Sequence, residues 1–304
     1  MIMKEILIRT VWVYGFIFIF SLALSAFVQF RRPKAERSSN IWIRTFSWLI
    51  IFFLFLSCGW KNLSLAVFVS VIAFLGTKEY FQIVGLWNMR AYRVAWFISN
   101  CLLSAAIIFK NLELFYLVPV FVILYNSLLP ITRQSYVKAV FNTSTGVWGL
   151  LYWGWCFSHF ALLRDLEGGF GYIILLGSLI AANDNTAYAV GKIFGKEKRK
   201  LSLNISLGKT VIGALGGFLS GFLIILIFRY TALNMNYAQL IILAFITGIA
   251  APIGDLVESA IKRDMEIKDS GKIVLGHGGI LDRFDSWTFV IPIAYYYIRF
   301  ITKV

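Results

Sequence analysis

The chain has 304 residues, of which 59% are hydrophobic and only 14% are charged. A water-soluble domain of this length could not bury so large an apolar fraction in one core, so the composition excludes an ordinary soluble enzyme and predicts a membrane protein. The formal net charge of +14 is compatible with nucleic-acid binding, but no soluble element interleaves aromatic and basic residues, and we expect no nucleic-acid partner.

Long apolar runs follow one another along the chain, which predicts an all-α, polytopic transmembrane protein. Since a spanning helix needs roughly 20 apolar residues, the runs suffice for about nine or ten spans. The predicted spans are 6–30, 46–60, 63–77, 94–110, 112–131, 142–163, 170–191, 210–228, 237–258 and 287–301. The first run is too long for the apolar core of a signal peptide, and we interpret it as an uncleaved span.

Basic residues are concentrated in every second connection between the predicted spans. Counted from an outside N-terminus, these connections hold most of the 29 lysines and arginines. Because cytoplasmic loops carry an excess of Lys and Arg, this side is predicted to face the cytoplasm. We therefore expect a multi-pass protein of the inner (cytoplasmic) membrane, with anionic lipid headgroups near its basic face.

Two regions of the chain differ in their polar content. Residues 1–165 are predicted to be N-terminal transmembrane helices that serve as a lipid-facing scaffold; Glu79, at the end of one span, is either a solvated helix end or a site contact. Residues 166–304 are predicted to form a C-terminal transmembrane catalytic region with a cytoplasmic loop, because polar residues lie inside its apolar runs, where they are costly and usually functional. Asp184, Tyr188 and Lys192 share one helical face there, and a polar packing cluster is the alternative interpretation.

The eighth predicted span opens with Gly208-Lys209-Thr210, which resembles the end of a phosphate-binding loop. That motif needs glycine where this chain has Leu203, and we predict no strand before it, so we exclude an NTPase of that class. The following Gly213, Gly217 and Gly221 are spaced to let two helices approach closely, either within the chain or across a homodimer.

Acidic residues are most concentrated between Asp255 and Asp285. Asp255, Glu258 and Lys262 are spaced i, i+3 and i+7 and therefore share a helical face, and Asp282 and Asp285 are likewise separated by three residues. The sequence thus predicts that two helix ends present carboxylates to one pocket. The alternative is a solvated charged loop whose acids and bases neutralise one another.

The ligand chemistry of this stretch favours Mg²⁺, a hard cation that binds carboxylate oxygens together with substrate phosphates. Zinc is not expected, because the chain has only two histidines and three scattered cysteines. The neighbouring basic residues are suited to phosphate oxygens, and the glycines around His277 allow backbone N–H groups to approach a phosphate. Together these features predict phosphoryl or nucleotidyl transfer.

These residues resemble the signature of the phosphatidate cytidylyltransferases, also called CDP-diacylglycerol synthases. The matching positions, with every spacing kept, are Ser259, Lys262, Arg263, Lys268, Asp269, Gly271, His277, Gly278, Gly279, Asp282, Arg283 and Asp285. Shorter stretches around Asp184, Lys209 and Asp255 are also similar to the family.

The resemblance implies a nucleotidyltransferase that transfers CMP from CTP to phosphatidate, giving CDP-diacylglycerol and pyrophosphate for phospholipid biosynthesis. It implies that Asp255, Asp282 and Asp285 hold Mg²⁺, with K⁺ as a companion ion, and that Lys262 completes the catalytic set. The residues it implies for substrate binding are Asp184, Tyr188, Lys209, Ser259, Arg263, Lys268, Asp269, His277, Gly278, Gly279 and Arg283.

Some positions depart from the family pattern. Leu207, Gly208 and Ile212 replace a proline, a lysine and a glutamate, and Leu275 replaces a second proline. These changes leave two alternatives open: a divergent enzyme that cytidylylates another lipid phosphate, or a catalytically silent membrane protein that keeps the fold.

Overall fold

A computed structural model describes residues 5–15 except 7, 61–195, 200–271 except 203 and 233, and 278–303. The predicted span 46–60 and most of the span 6–30 lie outside the described residues. Each predicted span from residue 63 onward coincides with helical structure, so the apolar runs located the helices correctly.

The described part of the N-terminal region from residue 61 onward is helical. Its elements are α1 (Asn62–Ile83), α2 (Arg90–Ile108), α3 (Leu112–Thr132), α4 (Ala139–Gly149), a π-helical segment (Leu150–Cys156) and α5 (Phe157–Asp165). Helix α3 begins where the Asn111 side chain accepts a hydrogen bond from the Leu114 N–H, which satisfies one of the free donors of the first turn. The predicted span 142–163 therefore consists of two α-helices joined by a π-helical segment.

The second region contains the long helices and one small hairpin. Its elements are α6 (Gly169–Phe194), β1 (Lys200–Ser202), β2 (Ser206–Thr210), α7 (Val211–Phe228), α8 (Tyr237–Asp264) and α9 (Leu281–Thr302). Strands β1 and β2 pair antiparallel. The expectation that no strand precedes α7 is therefore wrong, although Leu203 still excludes the phosphate-binding loop.

Local side chains determine where α7 and α8 begin. Thr210 caps α7 by accepting a hydrogen bond from the Gly213 N–H, at 3.1 Å. Asn236 and Gln239 form a capping box at the start of α8, in which each side chain accepts a bond from the other's backbone. The β2 strand therefore passes directly into α7, and Lys209 is held at this junction.

Six helices of the described residues are long and apolar enough to cross a membrane. They are Asn62–Ile83, Arg90–Ile108, Leu112–Thr132, Gly169–Phe194, Val211–Thr231 and Tyr237–Asp264. The prediction of an all-α membrane protein is confirmed at this level, with the β1–β2 hairpin as the exception. Outward-facing leucines on α3 and α7, such as Leu124 and Leu226, are more than half exposed, as expected for side chains that contact lipid.

The regularly spaced glycines of α7 pack against another helix of the same chain. A Cβ atom at Gly213 would lie 2.6 Å from the Ala187 carbonyl oxygen of α6, and one at Gly217 would lie 2.7 Å from the Asn183 carbonyl oxygen. Helices α6 and α7 thus approach through these glycines, as small residues allow in membrane proteins. A homodimer stays a prediction, but these glycines no longer support it because they contact α6 of the same chain.

Candidate active site

A cluster of three carboxylates lies where α8 and α9 meet. Asp255 and Glu258 belong to the C-terminal part of α8, and Asp285 belongs to the second turn of α9. The helices can come this close because residue 254 is glycine: a Cβ there would lie 2.6 Å from the Asp285 carbonyl oxygen. One oxygen from each of the three carboxylates lies within 4.8 Å of the other two.

Two lysines balance part of this negative charge. Lys262 Nζ lies 2.5 Å from Glu258 Oε2 and 2.7 Å from Asp282 Oδ1. Lys209 Nζ, which β2 carries to the site, lies 2.5 Å from Asp255 Oδ2. Each of these ion pairs is at least partly shielded from solvent, which strengthens the attraction relative to a fully exposed pair.

Asp282 is held in a different environment from the other predicted metal ligands. Its Oδ2 accepts hydrogen bonds from the Gly279 N–H at 2.8 Å and from the Ser270 N–H and hydroxyl at 3.0 and 2.9 Å. Burial alone would raise the pKa of the Asp282 carboxyl, but Lys262 and two backbone N–H groups hold it below its usual range. Both oxygens are therefore engaged by the loop and by Lys262.

The three-carboxylate cluster differs from the predicted metal set at one position. We predicted Asp255, Asp282 and Asp285, whereas the structure groups Asp255 and Asp285 with Glu258. Spacing of three residues places Asp282 and Asp285 on one side of α9, but it does not show that the Asp282 carboxylate contacts Ser270 and Lys262. Its role as a metal ligand stays a prediction. Glu258 had a sequence signal, since it shares the helical face of Asp255 and Lys262.

Asp184 and Ser259, two of the predicted substrate-binding residues, lie beside the cluster. The Ser286 hydroxyl donates to Asp184 Oδ1 at 3.3 Å, which places this α6 carboxylate next to Asp285. The Ser259 hydroxyl donates to Asp255 Oδ1 at 3.4 Å. Three helices, α6, α8 and α9, thus supply acidic groups to one site.

Two other predicted substrate-binding residues lie outside the carboxylate cluster. Tyr188 is exposed, and its ring is covered by the Lys192 ammonium at 5.7 Å. Arg263 is exposed and donates to the Ile205 and Ile267 carbonyl oxygens, each at 3.4 Å. The structure brings neither residue into the cluster, and both stay predicted substrate contacts.

The remaining predicted residues belong to the loop between α8 and α9 and to the start of α9. Lys268 and Asp269 are exposed, and Arg283 is half-buried in the first turn of α9. His277 lies outside the described residues. Gly278 has φ +88°, a conformation that glycine adopts readily and other residues rarely do. Gly278 and Gly279 therefore have a local reason to be glycine: they wrap the Asp282 carboxylate.

Glu79 of α1 proves to contact the same loop. Its side chain is buried, and its Oε2 accepts a hydrogen bond from the Leu281 N–H at 3.1 Å. The Ser270 hydroxyl lies 3.4 Å from the same oxygen. Of the two interpretations open for Glu79, the structure supports a contact with the site.

The donor chemistry of the cluster fits Mg²⁺. Carboxylate oxygens are the ligands that this hard cation prefers, and it commonly takes only a few of them together with water and substrate phosphates. Asp255, Glu258 and Asp285 would hold it, and no cysteine or histidine accompanies them in the cluster. Lys209 pairs with Asp255 and Lys262 pairs with Glu258, so two cationic groups lie beside the carboxylates, where they would neutralise phosphate oxygens.

Comparison with known proteins agrees with this geometry. The profile of the cytidylyltransferase family matches residues 40–301. The chain belongs to this family. The match includes α1 to α9 almost completely, so the family's region extends over both halves of the protein.

Individual relatives of this cytidylyltransferase fall into two groups. An uncharacterized protein of Escherichia coli K12, YnbB, is 31% identical over 297 residues, which is 93% of this chain and 95% of YnbB. The phosphatidate cytidylyltransferase of Bacillus subtilis is 44% identical over 148 residues, 48% of this chain and 54% of the relative. That of Staphylococcus epidermidis is 37% identical over 174 residues, 57% of this chain and 64% of the relative.

The two groups differ in how much of the relative is matched. The similarity to YnbB runs nearly end to end, whereas the chain matches about half to two-thirds of the phosphatidate cytidylyltransferases. The shorter matches have the higher identity.

Proposed function

We propose that this cytidylyltransferase transfers CMP from CTP to phosphatidate, which yields CDP-diacylglycerol and pyrophosphate. The observation that carries the proposal is the cluster of Asp255, Glu258 and Asp285 between Lys209 and Lys262. It combines an oxygen-only cation site with cationic groups for phosphates. The activity for which the Bacillus and Staphylococcus relatives are named supports the same assignment.

The reaction needs positioning and charge neutralisation more than proton transfer. An oxygen of the lipid phosphate attacks the α-phosphorus of CTP, a new P–O bond forms, and the bond from the α-phosphorus to the bridging oxygen breaks. The electron pair leaves with pyrophosphate. A phosphate monoester is already ionised at neutral pH, so the site need not supply a general base. Preorganised cations stabilise the charge that develops on the leaving group.

We propose distinct roles for the residues around the cluster. Asp255, Glu258 and Asp285 would hold Mg²⁺, which would supply Lewis-acid polarisation of the phosphate oxygens; K⁺ as a companion ion is a further expectation. Lys262 and Lys209 would orient the carboxylates and neutralise phosphate charge. Asp282 would keep Lys262 in place, and the predicted CTP contacts are Arg263, Lys268, Asp269 and His277.

The membrane arrangement we propose is that of the sequence prediction: about nine or ten spans in the inner membrane, each of roughly 20 apolar residues, with the site facing the cytoplasm. Its support is the distribution of basic residues, since cytoplasmic connections are enriched in Lys and Arg. In the part of the chain that the structure describes, the carboxylate cluster is formed by the C-terminal part of α8 and the start of α9, the two helices that the predicted cytoplasmic loop joins. We expect no nucleic-acid partner.

Pyrophosphate release by the purified full chain tests the proposed reaction. In detergent with Mg²⁺, CTP and phosphatidate, the wild type should release pyrophosphate and form CDP-diacylglycerol in equal amounts. Chelation of Mg²⁺ should stop both products. Absence of both products under conditions in which the protein is folded would contradict the proposal.

The choice of acceptor needs its own measurement because Leu207, Gly208 and Ile212 depart from the family pattern. Gly208 and Lys209 are neighbours in β2, and Lys209 pairs with Asp255, so the change at Gly208 lies next to a residue that contacts the cluster. A panel of lipid phosphates, compared by kcat/KM, should rank phosphatidate first. A clear preference for another lipid phosphate would support the divergent-enzyme alternative instead.

A further inference from the structure

Glu79 occupies an unusual place for an acidic residue of an apolar helix. It lies near the end of α1, is 2% exposed, and its carboxylate contacts the loop between α8 and α9 instead of solvent. Residues 200 positions apart in the chain therefore meet at one carboxylate. Burying an acidic group is costly unless it is well bonded, so this contact requires an explanation.

The first set of contacts fixes the start of α9. Glu79 Oε2 accepts the Leu281 N–H at 3.1 Å, one of the donors that the first turn of a helix leaves without an internal partner. A carboxylate at this end also interacts favourably with the helix dipole. Asp282 follows Leu281 directly, and Asp285 lies one turn further along the same helix. The position of Leu281 therefore helps to set the position of both acids.

The second set of contacts continues to the metal cluster. The Ser270 hydroxyl lies between Glu79 Oε2 at 3.4 Å and Asp282 Oδ2 at 2.9 Å. Asp282 then binds Lys262 at 2.7 Å, and Lys262 binds Glu258 at 2.5 Å. A continuous series of polar contacts thus runs from α1 to a carboxylate of the cluster.

Two glycines of the loop lie so close to the Glu79 carboxylate that no side chain would fit at either position. A Cβ at Gly271 would lie 2.6 Å from Glu79 Oε1, and one at Gly279 would lie 2.5 Å from Glu79 Oε2. Neither distance is compatible with a real side chain. The loop backbone is therefore packed against this carboxylate on two sides.

We propose that Glu79 is a positioning residue, which holds the α8–α9 loop and the start of α9 so that Asp282 and Lys262 keep the carboxylate cluster in its metal-binding geometry. The proposal rests on the proposed function for its catalytic consequence, but not for the contact itself. It predicts that α1 of the N-terminal region acts on the site through this carboxylate.

Single variants at Glu79 separate positioning from general stability. Partners that orient metal ligands typically change metal affinity or activity by about 10- to 100-fold when they are lost, so Glu79→Ala should lower kcat by about tenfold or more and raise the Mg²⁺ concentration needed for half-maximal activity. Glu79→Gln keeps an acceptor oxygen for the Leu281 N–H and should restore most of both quantities. Glu113→Ala, a change of an exposed acid in the first turn of α3, is the control and should change neither.

Double variants test the contact without reference to the reaction. Gly271→Ala should lower the melting temperature, and the Glu79→Ala/Gly271→Ala double variant should recover part of the loss, because the atom that obstructs the new methyl group is removed. Glu79→Ala should not rescue Gly279→Ala, since a Cβ there would still lie 2.1 Å from Ser270 Oγ. Such non-additivity is expected only for residues in contact.

The results distinguish the proposal from its alternatives. If Glu79→Ala lowers the melting temperature but leaves kcat and the Mg²⁺ requirement of the folded protein unchanged, the residue is merely structural and the proposal is overturned. If the wild type releases no pyrophosphate with any lipid phosphate, the proposed function fails, and Mn²⁺ binding measured by electron paramagnetic resonance replaces the kinetics. Weaker Mn²⁺ binding in Glu79→Ala would then support the positioning role, and unchanged binding would overturn it.

Discussion

The region from α1 to α5 and the region from α6 to α9 are built from similar apolar helices but contribute differently to the site. The second region supplies the Asp255, Glu258 and Asp285 cluster and both lysines paired near it. Among its described residues, the first contributes a buried carboxylate, Glu79, which contacts the loop and α9. The candidate site is therefore built from α6, α8 and α9, and α1 reaches it through contacts with the loop and the start of α9.

The N-terminal region contacts α9 both through apolar packing and through a hydrogen bond. Residues 1–165 were predicted to form a lipid-facing scaffold, and the aromatic side chains of α5 do pack against α9, as Phe157 does with Phe284 at a ring distance of 5.2 Å. Apolar packing of this kind fixes where α9 lies, but it is not directional. A hydrogen bond such as that from Leu281 to Glu79 also fixes rotation and register.

The largest effect is expected from loss of a carboxylate of the cluster. Asp255→Asn keeps the side-chain volume but removes an anionic ligand, and we expect kcat/KM to fall at least about 100-fold, which corresponds to about 3 kcal/mol of transition-state stabilisation. Pyrophosphate release measures the effect. Asp264→Asn, at the exposed end of the same helix, should change the rate little; equal losses in both variants would contradict the special role of the cluster.

A smaller but still large effect is expected at Lys262, which bridges the cluster and the loop. Lys262→Met leaves Glu258 and Asp282 without their common cation; the loss should lower kcat/KM about 10- to 100-fold and destabilise the protein by about 3 kcal/mol, as removal of one partner of a shielded pair does. Activity and thermal unfolding should both report it. Lys303→Met, an exposed change at the end of α9, provides the control, and a Lys262→Met enzyme of normal activity would refute the role of this ion pair.

The sequence predicted the helices and the acidic faces that the structure brings together, because both depend on local patterns. Apolar runs gave the helices from residue 63 onward, and i, i+3 spacing gave the acidic faces of α8 and α9. The sequence could not predict which acids meet, because the three-carboxylate cluster depends on how closely α8 approaches α9 at Gly254. Asp282 as a metal ligand stays a prediction, and the structure adds Glu258 as a further candidate.

Other features of the structure were undecided or missed in the sequence because they depend on contacts or on elements without a spacing pattern. The contact of Glu79 with Leu281 joins distant parts of the chain and has no spacing pattern, so the sequence left Glu79 between two interpretations. The β1–β2 hairpin is too short to show an alternating pattern, and its strands were missed. The glycine spacing of α7 did predict a close helix contact, but only the structure shows that the partner is α6.

A moderate effect is expected at Lys209, whose ion pair with Asp255 is more exposed than the pair of Lys262. Its partner Asp255 is 35% exposed, compared with 2% and 10% for Glu258 and Asp282, the partners of Lys262, and solvent weakens such a pair. Lys209→Met should therefore lower kcat/KM by about tenfold, or about 1.4 kcal/mol, and Lys61→Met, at an exposed position before α1, should not. A Lys209 effect larger than that of Lys262 would reverse the order argued from burial.

The smallest effect on the rate is expected from the glycine contact that holds α6, which carries Asp184, against α7. A methyl group at Gly217 would meet the Asn183 carbonyl oxygen at 2.7 Å and the Ala187 Cβ at 3.1 Å, and overpacking of this kind costs about 1–3 kcal/mol. Gly217→Ala should thus lower the melting temperature while the folded enzyme keeps kcat within about threefold, or about 0.7 kcal/mol. Leu219→Ala, on the lipid-facing side of α7, should leave both nearly unchanged. A large loss of kcat without a loss of stability would show that α7 positions Asp184 for the reaction, and would place part of the chemistry outside the α8–α9 ends.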